Sequence, residues 1–585
     1  MARCARATLG IALLAATYVA WRDAHPGLYG DGPLFVELWR QSIWVQAHFL
    51  LLPLAIAWRA LLSPFFALDR AQAIRAISGL GCVVGAGAAQ LASARLAGPL
   101  AALGGTLVLL ATPALRFYAG AVEVHALAFG CVAIACAWIL APQPSRRRAR
   151  VALACGAMLC AATHVTLLSA ALPLLLLHVD AERSVGRASS CREVLGSALV
   201  AGAALLALVG LVLALDRLGA PEAFAEYSAI EQYRKAMVAW NERIPRPELA
   251  SLAVLEVLAP LGVLPWLALS GLVVLARTRP WLAASGLAWF ALLGAAALKV
   301  GAREHGAYVL PAAVALSCAA AVSLQSAARA RSFAPGGLLA LVLLVHALAL
   351  RAWAGEHGLR EAASAAIGPW PITRAELGLG APGMLDSIAG SAPAWLWWGM
   401  ALLAGLGGGA LASVAVPRPS RARGAAVALL ALGALVLQVG ASEAARGRWP
   451  VLWRQELVDV ATFVRAQAAA EDEIVAFAPN PETKWTMEHF LAREWLDLGD
   501  LDGAASPARA TWVAEAERRL ARARERGAHA WLPDDALAAL LFDAARRPHA
   551  LAVVQRWLQQ ELVTRLPPRL PFTEAFLREA LPPLR

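Results

Sequence analysis

The sequence predicts an all-α polytopic membrane protein, with about 13 transmembrane helices, that carries a small external α/β domain at its C-terminus. Three observations lead there. Of the 585 residues 59% are hydrophobic and only 16% charged, with a mean hydropathy of +0.59, against roughly 25% charge in an average soluble domain. The apolar residues come in about a dozen blocks of roughly 16 to 24, each long enough as a helix to cross about 30 Å of hydrocarbon. From about Ala444 the composition changes to an ordinary soluble mixture. These features exclude a soluble enzyme and a disordered scaffold. They also exclude a membrane β-barrel, whose strands would alternate polar and apolar residues.

The first element, Met1 to Ala20, has Arg3 and Arg6 ahead of an apolar run, as a signal peptide would. A cut after Ala20 would place bulky Tyr18 at the minus-three position, so the segment reads as an uncleaved first span. Further spans follow at about 77–94, 98–115, 126–141, 150–163, 164–178, 194–215, 253–276, 281–300, 308–327, 335–350, 393–416 and 425–441. With the N-terminus inside, thirteen crossings put Ser145-Arg-Arg-Arg-Ala-Arg150, Arg277-Thr-Arg279, Arg329-Ala-Arg331 and Arg418 to Arg423 on one side. This is the arginine asymmetry expected of cytoplasmic loops. The net charge of +11 therefore reports topology, and nucleic acid is not expected as a partner. The apolar block His48 to Leu68 contains Pro53 and Arg59, and counting it as a span would turn Glu123 and the C-terminal tail inward. It reads as juxtamembrane or re-entrant helix within a first external loop of about residues 22–76; a second external loop spans about 116–126.

The transmembrane domain thus covers residues 1–443 and the soluble external domain 444–585. In the latter, Glu473-Ile-Val-Ala-Phe-Ala-Pro479 and Ala528-His-Ala-Trp-Leu-Pro533 read as strands, and Glu482 to Leu498 and Arg518 to Arg526 as helices. That alternation predicts an α/β domain of about 140 residues. The eight cysteines lie in or beside apolar blocks and show neither a disulfide framework nor zinc spacing.

An ionisable side chain near hydrocarbon depth costs several kcal/mol, so each is a candidate for function. They gather at the external ends of early spans: Asp31 in Tyr29-Gly-Asp-Gly-Pro-Leu-Phe35, His48, Glu123 and His125 in Ala121-Val-Glu-Val-His-Ala-Leu127, and His164 in Ala162-Thr-His-Val-Thr166. Arg303, Glu304 and His305 join them from a later loop. Glu256 reads as a bundle-facing polar residue, Gly81-Cys-Val-Val-Gly85 as small-residue helix packing, Trp395-Leu-Trp-Trp398 as an interfacial aromatic belt, and Glu222 to Glu242 as an amphipathic surface helix.

At these residues the chain resembles the polytopic GT-C glycosyltransferases, and within them the bacterial protein O-mannosyltransferase-like family. The likeness rests on the first-loop acid Asp31 followed by the His48 helix, and on Leu115-Arg-Phe-Tyr-Ala-Gly-Ala-Val-Glu-Val-His-Ala-Leu127. It continues in the His164 segment and in Arg303 with Tyr308-Val-Leu-Pro311. The resemblance covers about residues 8–327, and it departs from the family where His48-Phe-Leu-Leu-Leu-Pro53 replaces His-Pro-Pro and where His125 replaces a tyrosine. It implies GT-C architecture and an inverting glycosyltransferase of the bacterial inner membrane. That enzyme would move a hexose, mannose in the first instance, from a polyprenyl-phosphate sugar to a protein or envelope glycolipid acceptor. Asp31 is then the expected catalytic base, with Glu123 the second catalytic carboxylate, held to position the acceptor. Arg303 would neutralise the departing lipid phosphate, with His48, His125, His164 and Tyr308 as further substrate contacts. These residues make no metal signature of their own, and a divalent cation stays open as a companion. The alternative is a transporter or flippase of lipid-linked saccharides, which paired broken helices in two halves would favour; none is visible in the sequence.

Overall fold

The computed structural model describes residues 2–24, 28–42, 48–187, 190–219, 231, 234, 237–238, 246–299, 304, 306–330, 334–356, 383–414, 420–446, 455–478, 481–493, 495–503, 505–542, 544–570, 573–574 and 576–577. The chain divides into two compact units, one of residues 1–26 and 42–449, the other of 27–41 and 450–585.

The larger unit is helical throughout. It begins with α1 (Ala2–Arg22); α2 (Gly32–Arg40) belongs to the other unit; then come α3 (Leu51–Leu62), α4 (Arg70–Ala97), α5 (Pro99–Leu110), α6 (Pro113–Gly120), α7 (His125–Ile139), α8 (Arg146–Thr163), α9 (Ala171–Ser184), reached through a 3-10 turn at Val165–Ala170, and α10 (Cys191–Gly219). After α11 (Arg246–Ala253) and a π-helical turn at Val254–Leu258 follow α12 (Leu264–Thr278), α13 (Pro280–Lys299), α14 (Ala313–Arg329), α15 (Ala334–Glu356), α16 (Met384–Ala389), α17 (Ala394–Val414) and α18 (Ser420–Arg446). Among the described residues each of the thirteen apolar segments is mostly helical, those at about 98–115 and 253–276 being broken. Among the described residues nine helices are long and apolar enough to cross a membrane, or eleven if each bent pair counts as one span. The 12-residue α3 is shorter than a crossing requires, as its proline and arginine suggest.

The two bent pairs depart from the expected straight spans and have local causes. Between α5 and α6 the axis turns by 68°. Thr112 is extended there, and its hydroxyl accepts the Leu115 N–H while Pro113, which has no N–H to leave unpaired, opens α6. Between Leu249–Leu261 and α12 the turn is 84°, at Gly262 with φ +58°. Gln438 of α18 reaches that break, its Oε1 accepting the Val263 N–H at 2.9 Å and its Nε2 donating to the Leu261 carbonyl at 3.1 Å. A side-chain amide thereby replaces the partners that a broken helix loses inside a membrane. Close helix packing fixes the rest. A Cβ on Gly81 would stand 2.5 Å from the Ala126 carbonyl oxygen, so α4 and α7 approach as only small residues allow.

The smaller unit is an α/β domain. It adds α19 (Gln455–Gln467), β1 (Glu473–Ala476), α20 (Pro481–Leu491), β2 (Leu496–Asp497), α21 (Ser506–Glu525), β3 (Ala530–Pro533), α22 (Asp534–Phe542), α23 (Pro548–Gln559) and β4 (Thr564–Leu566). The strands form one parallel sheet in the order β2-β1-β3-β4, with Glu473 opposite Ala530 and Val475 opposite Leu496. Alternate residues of β1 serve opposite faces. Ile474 and Ala476 pack with Val464, Met487 and Leu491, whereas Val475 packs with Leu520, Leu532, Val554 and Trp557. The helix expected to run to Leu498 instead stops at Leu491, because Ala492 takes φ +56° and Leu496–Asp497 pairs with β1. The amphipathic α2 lies against α20 in this unit, with Leu34, Phe35 and Leu38 buried.

Candidate functional site

The site grows out of the break after α5. The fully buried α6 ends at Gly120, the chain runs extended through Ala121, and α7 starts at His125. Glu123 sits in that turn. Its carbonyl accepts the Ser78 hydroxyl of α4 at 2.6 Å, and its carboxylate Oε2 accepts the Val124 N–H at 3.1 Å. The carboxylate thus stands buried within a rigid turn, 3.9 Å from His125 Nε2.

Three imidazoles and two phenols assemble beside it. His164 ends α8 in an extended conformation and caps the next turn: its Nδ1 accepts the Thr166 N–H at 3.2 Å, with the Thr166 hydroxyl at 2.8 Å. An Nδ1 that accepts from a backbone amide leaves the ring proton of a neutral imidazole on Nε2. The His48 segment is tied to the same helix end by the Leu50 N–H, which donates to the Ala162 carbonyl at 3.1 Å. The ring centroids of His48 and His164 lie 4.8 Å apart, those of His125 and His164 5.6 Å apart. Tyr308 completes the group, 5.2 Å from His164 and 5.6 Å from His125, while Tyr118 meets His125 edge-on at 5.0 Å. Burial, and then the neighbouring His125, pushes the His48 imidazole down to about 3, so it is neutral at ordinary pH.

The later loop closes the cluster. The Tyr118 hydroxyl donates to the Glu304 carbonyl, and the Glu304 carboxylate comes 3.5 Å from His125 Nε2. Glu256 is buried in the π-helical turn and accepts the Gly306 N–H at 3.0 Å. A Cβ on Gly306 would stand 2.5 Å from the Pro260 Cβ, so that backbone lies directly against the second break.

Of the residues singled out in the sequence, His48, Glu123, His125, His164 and Tyr308 therefore come together. Arg303 and His305 lie outside the described residues, as does most of the Glu222–Glu242 segment. Asp31 is exposed in the smaller unit, where its carbonyl accepts the Phe35 N–H at 2.9 Å and opens α2. Among the described residues no group of three or more His, Cys, Asp or Glu side chains stands in metal-holding geometry.

Sequence reasoning missed a second charged group beside α6. Arg116, only 4% exposed, forks onto Asp23 with Nε–Oδ2 at 2.7 Å and Nη2–Oδ1 at 3.1 Å, and its Nη1 lies 2.9 Å from Glu443. Arg22 reaches Glu443 at 3.0 Å and Arg446 reaches Asp23 at 3.5 Å. Arg22, Asp23, Glu443 and Arg446 stand at the ends of α1 and α18, and Arg116 in the middle of α6; the signal available was an aspartate and an arginine placed where apolar residues prevail.

No protein-family profile and no curated protein matches the sequence. Solved structures do. ArnT from Cupriavidus metallidurans bound to undecaprenyl phosphate is 18% identical, over 85% of this chain and 90% of that one, with a TM-score of 0.50. The apo form of the same protein gives 17% identity and 0.49, over 84% of each chain. The archaeal oligosaccharyltransferase AglB from Archaeoglobus fulgidus, in complex with an inhibitory peptide and a dolichol-phosphate, gives 12% identity and 0.36, over 84% of this chain and 64% of that one. The likeness to the first of these gives the fold: a polytopic helical bundle of GT-C architecture, followed by a small α/β domain.

Proposed function

We propose that this GT-C-fold chain is an inverting glycosyltransferase of the bacterial inner membrane. It moves a hexose, mannose in the first instance, from a polyprenyl-phosphate sugar to a protein or envelope glycolipid acceptor on the external face. The observation that carries the reading is the convergence of Glu123, His48, His125, His164 and Tyr308, drawn from four separate segments, into one buried polar cluster beside a broken span. Burying a carboxylate among imidazoles is costly unless the site uses them. The fold agrees, and the ArnT structure that shares it holds undecaprenyl phosphate, a lipid of the proposed donor class.

In the proposed reaction the acceptor hydroxyl gives its proton to Asp31 as its oxygen attacks the anomeric carbon, and the carbon–oxygen bond to the lipid phosphate breaks with inversion. The phosphate leaves as an anion and needs charge neutralisation rather than a proton, which is the role proposed for Arg303. Glu123, held at its own turn, orients the acceptor, and the imidazoles offer N–H donors to sugar hydroxyls.

The test is transfer of radiolabelled sugar from polyprenyl-phosphate mannose and polyprenyl-phosphate glucose to envelope acceptors, in membranes holding wild type, Asp31→Asn or Glu123→Gln. Transfer by wild type that both substitutions abolish, at equal expression, supports the reading; absence of transfer from every donor tried overturns it. The two bent helix pairs favour one rival, translocation of a lipid-linked saccharide. Labelled lipid that becomes accessible on the opposite face without sugar transfer would establish that rival instead.

A further inference from the structure

The arginine-rich end of the bundle holds a shallow, partly open cleft that the transfer reaction does not use. It lies where α8 and α10 begin and α9 ends, and its walls include Arg146, Arg150, His178, Glu193 and Ser197. Since α8 starts at Arg146 and ends one residue before His164, the cleft is about 27 Å along that helix from the imidazole cluster. It is a separate place.

Its charges are unevenly satisfied. Arg146 lies against both Glu193 and Glu182, and Glu182 also takes the Arg187 guanidinium at 2.9 Å. His178 and Ser197 bond each other at 3.2 Å across the floor. Arg150 is different. Its guanidinium packs over Gly196 of α10, 3.4 Å from where a Cβ would stand, and among the described residues it has neither a carboxylate nor a hydrogen-bond partner. Arg147, Arg148, Arg183 and Arg192 are exposed on the same three helix ends, so this end is rich in arginine although its two acids are already engaged. The same α10 that supplies Glu193 and Ser197 exposes Leu195, Leu199 and Leu206 along its length, an apolar face that continues from the cleft toward the bilayer core.

We propose that this cleft binds the phosphodiester head group of an anionic phospholipid of the adjoining leaflet, with Arg150 as the principal contact and the acyl chains lying along α10. A basic pocket between spans at the end richest in arginine is where such head groups are recognised. The exposed leucine face selects a lipid over a free anion, because only a lipid gains from covering it.

The test uses the full-length protein in nanodiscs of phosphatidylcholine, with or without about one third phosphatidylglycerol, and counts lipids retained by native mass spectrometry. Wild type is expected to keep a phosphatidylglycerol adduct, and Arg150→Ala to keep about ten-fold less, the loss of one charge-assisted hydrogen-bonding group. Thermal melting of each variant in pure phosphatidylcholine reports folding independently of the lipid. Should the alanine variant fail to fold, Arg150→Gln, which keeps a polar stem over Gly196, takes its place. Equal retention by wild type and variant overturns the proposal. So does inorganic phosphate at about 10 mM protecting wild type as well as the lipid does, since the site would then be one for a free anion.

Discussion

Replacing Arg116 with alanine should cost about 3–5 kcal/mol, the range for breaking a buried ion pair from one side. The reason is what it leaves behind. Asp23 is 2% exposed and takes two bonds from Arg116, at 2.7 and 3.1 Å. Without them the nearest cation among the described residues is Arg446, at 3.5 Å and partly in solvent. Arg22→Ala provides the comparison: it removes a cation 3.0 Å from Glu443, but both side chains are about one third exposed, and pairs of that kind are worth about 0–1 kcal/mol. Asp23→Asn combined with Arg116→Ala should recover much of the loss, because no buried charge is then stranded. Equilibrium unfolding in mixed micelles, titrated with a denaturing detergent, measures wild type, these three variants and Asp23→Asn alone. Arg116→Ala within about 1 kcal/mol of Arg22→Ala, or strict additivity in the double variant, would refute the argument that burial makes this pair matter.

Three further outcomes follow from the geometry. Lowering the pH should destabilise the protein through His48. Its imidazole is near 3 when folded and 6.5 when exposed, so between those values the unfolded chain binds a proton that the native one refuses, and stability falls by up to about 1.4 kcal/mol per pH unit as pH drops below 6.5. His48→Gln should flatten the curve between pH 7 and 5 by that amount, and an unchanged slope would count against a neutral buried ring. Gly81→Val should cost at least about 1–3 kcal/mol and lower sugar transfer, since its Cβ would press on the Ala126 and Leu127 backbone and part α4 from the turn that Ser78 holds; Gly202→Ala, with nothing within 4 Å, should be neutral or slightly stabilising. In the smaller unit Trp557→Ala should cost about 3–5 kcal/mol, read by loss of its cooperative melt. That ring is fully buried, and its Nε1 donates to Glu517 at 3.1 Å.

Much of the fold was legible because hydropathy is local. Among the described residues every apolar segment read from the sequence is mostly helical, and β1 and β3 begin and end within a few residues of the stretches that predicted them. The two bends were not legible, since an apolar run carries no periodicity that betrays a change of direction. Their marks, Thr112-Pro113 and the Gly262 to Pro265 turn, are ordinary in composition until the axis angle is known. Pairings across the chain were equally hidden. Nothing near Asp23 announces Arg116, 93 positions away, and the amphipathic face of α2 says that it is covered without saying that α20 covers it. The cluster sits between these cases. Its residues stood out one by one as polar groups in apolar surroundings, but their meeting depends on where α7 starts, where α8 ends and how the Tyr308 loop returns.

Both broken spans lead to that meeting. The first delivers α6, with Tyr118, and then Glu123 and His125. The second carries Glu256, which holds the Gly306 amide two residues before Tyr308, and Pro260, which packs against the same glycine. The short helical turn Ala259–Leu261 touches α6, so the interruptions meet each other as well as the rings. Within a membrane, backbone can leave the helix only where protein or a polar cavity satisfies it, and here Thr112 and Gln438 supply the missing partners. Side chains on unbroken helices stay at fixed spacings on each helix face. Breaking two spans at one place frees the chain to bring a carboxylate, imidazoles and phenols from distant segments into one cluster, each within 6 Å of at least one other. On the proposed reading the bends are thus the walls of a transfer site, and their convergence on a single cluster, rather than on two related ones, is what separates that reading from translocation between symmetric halves.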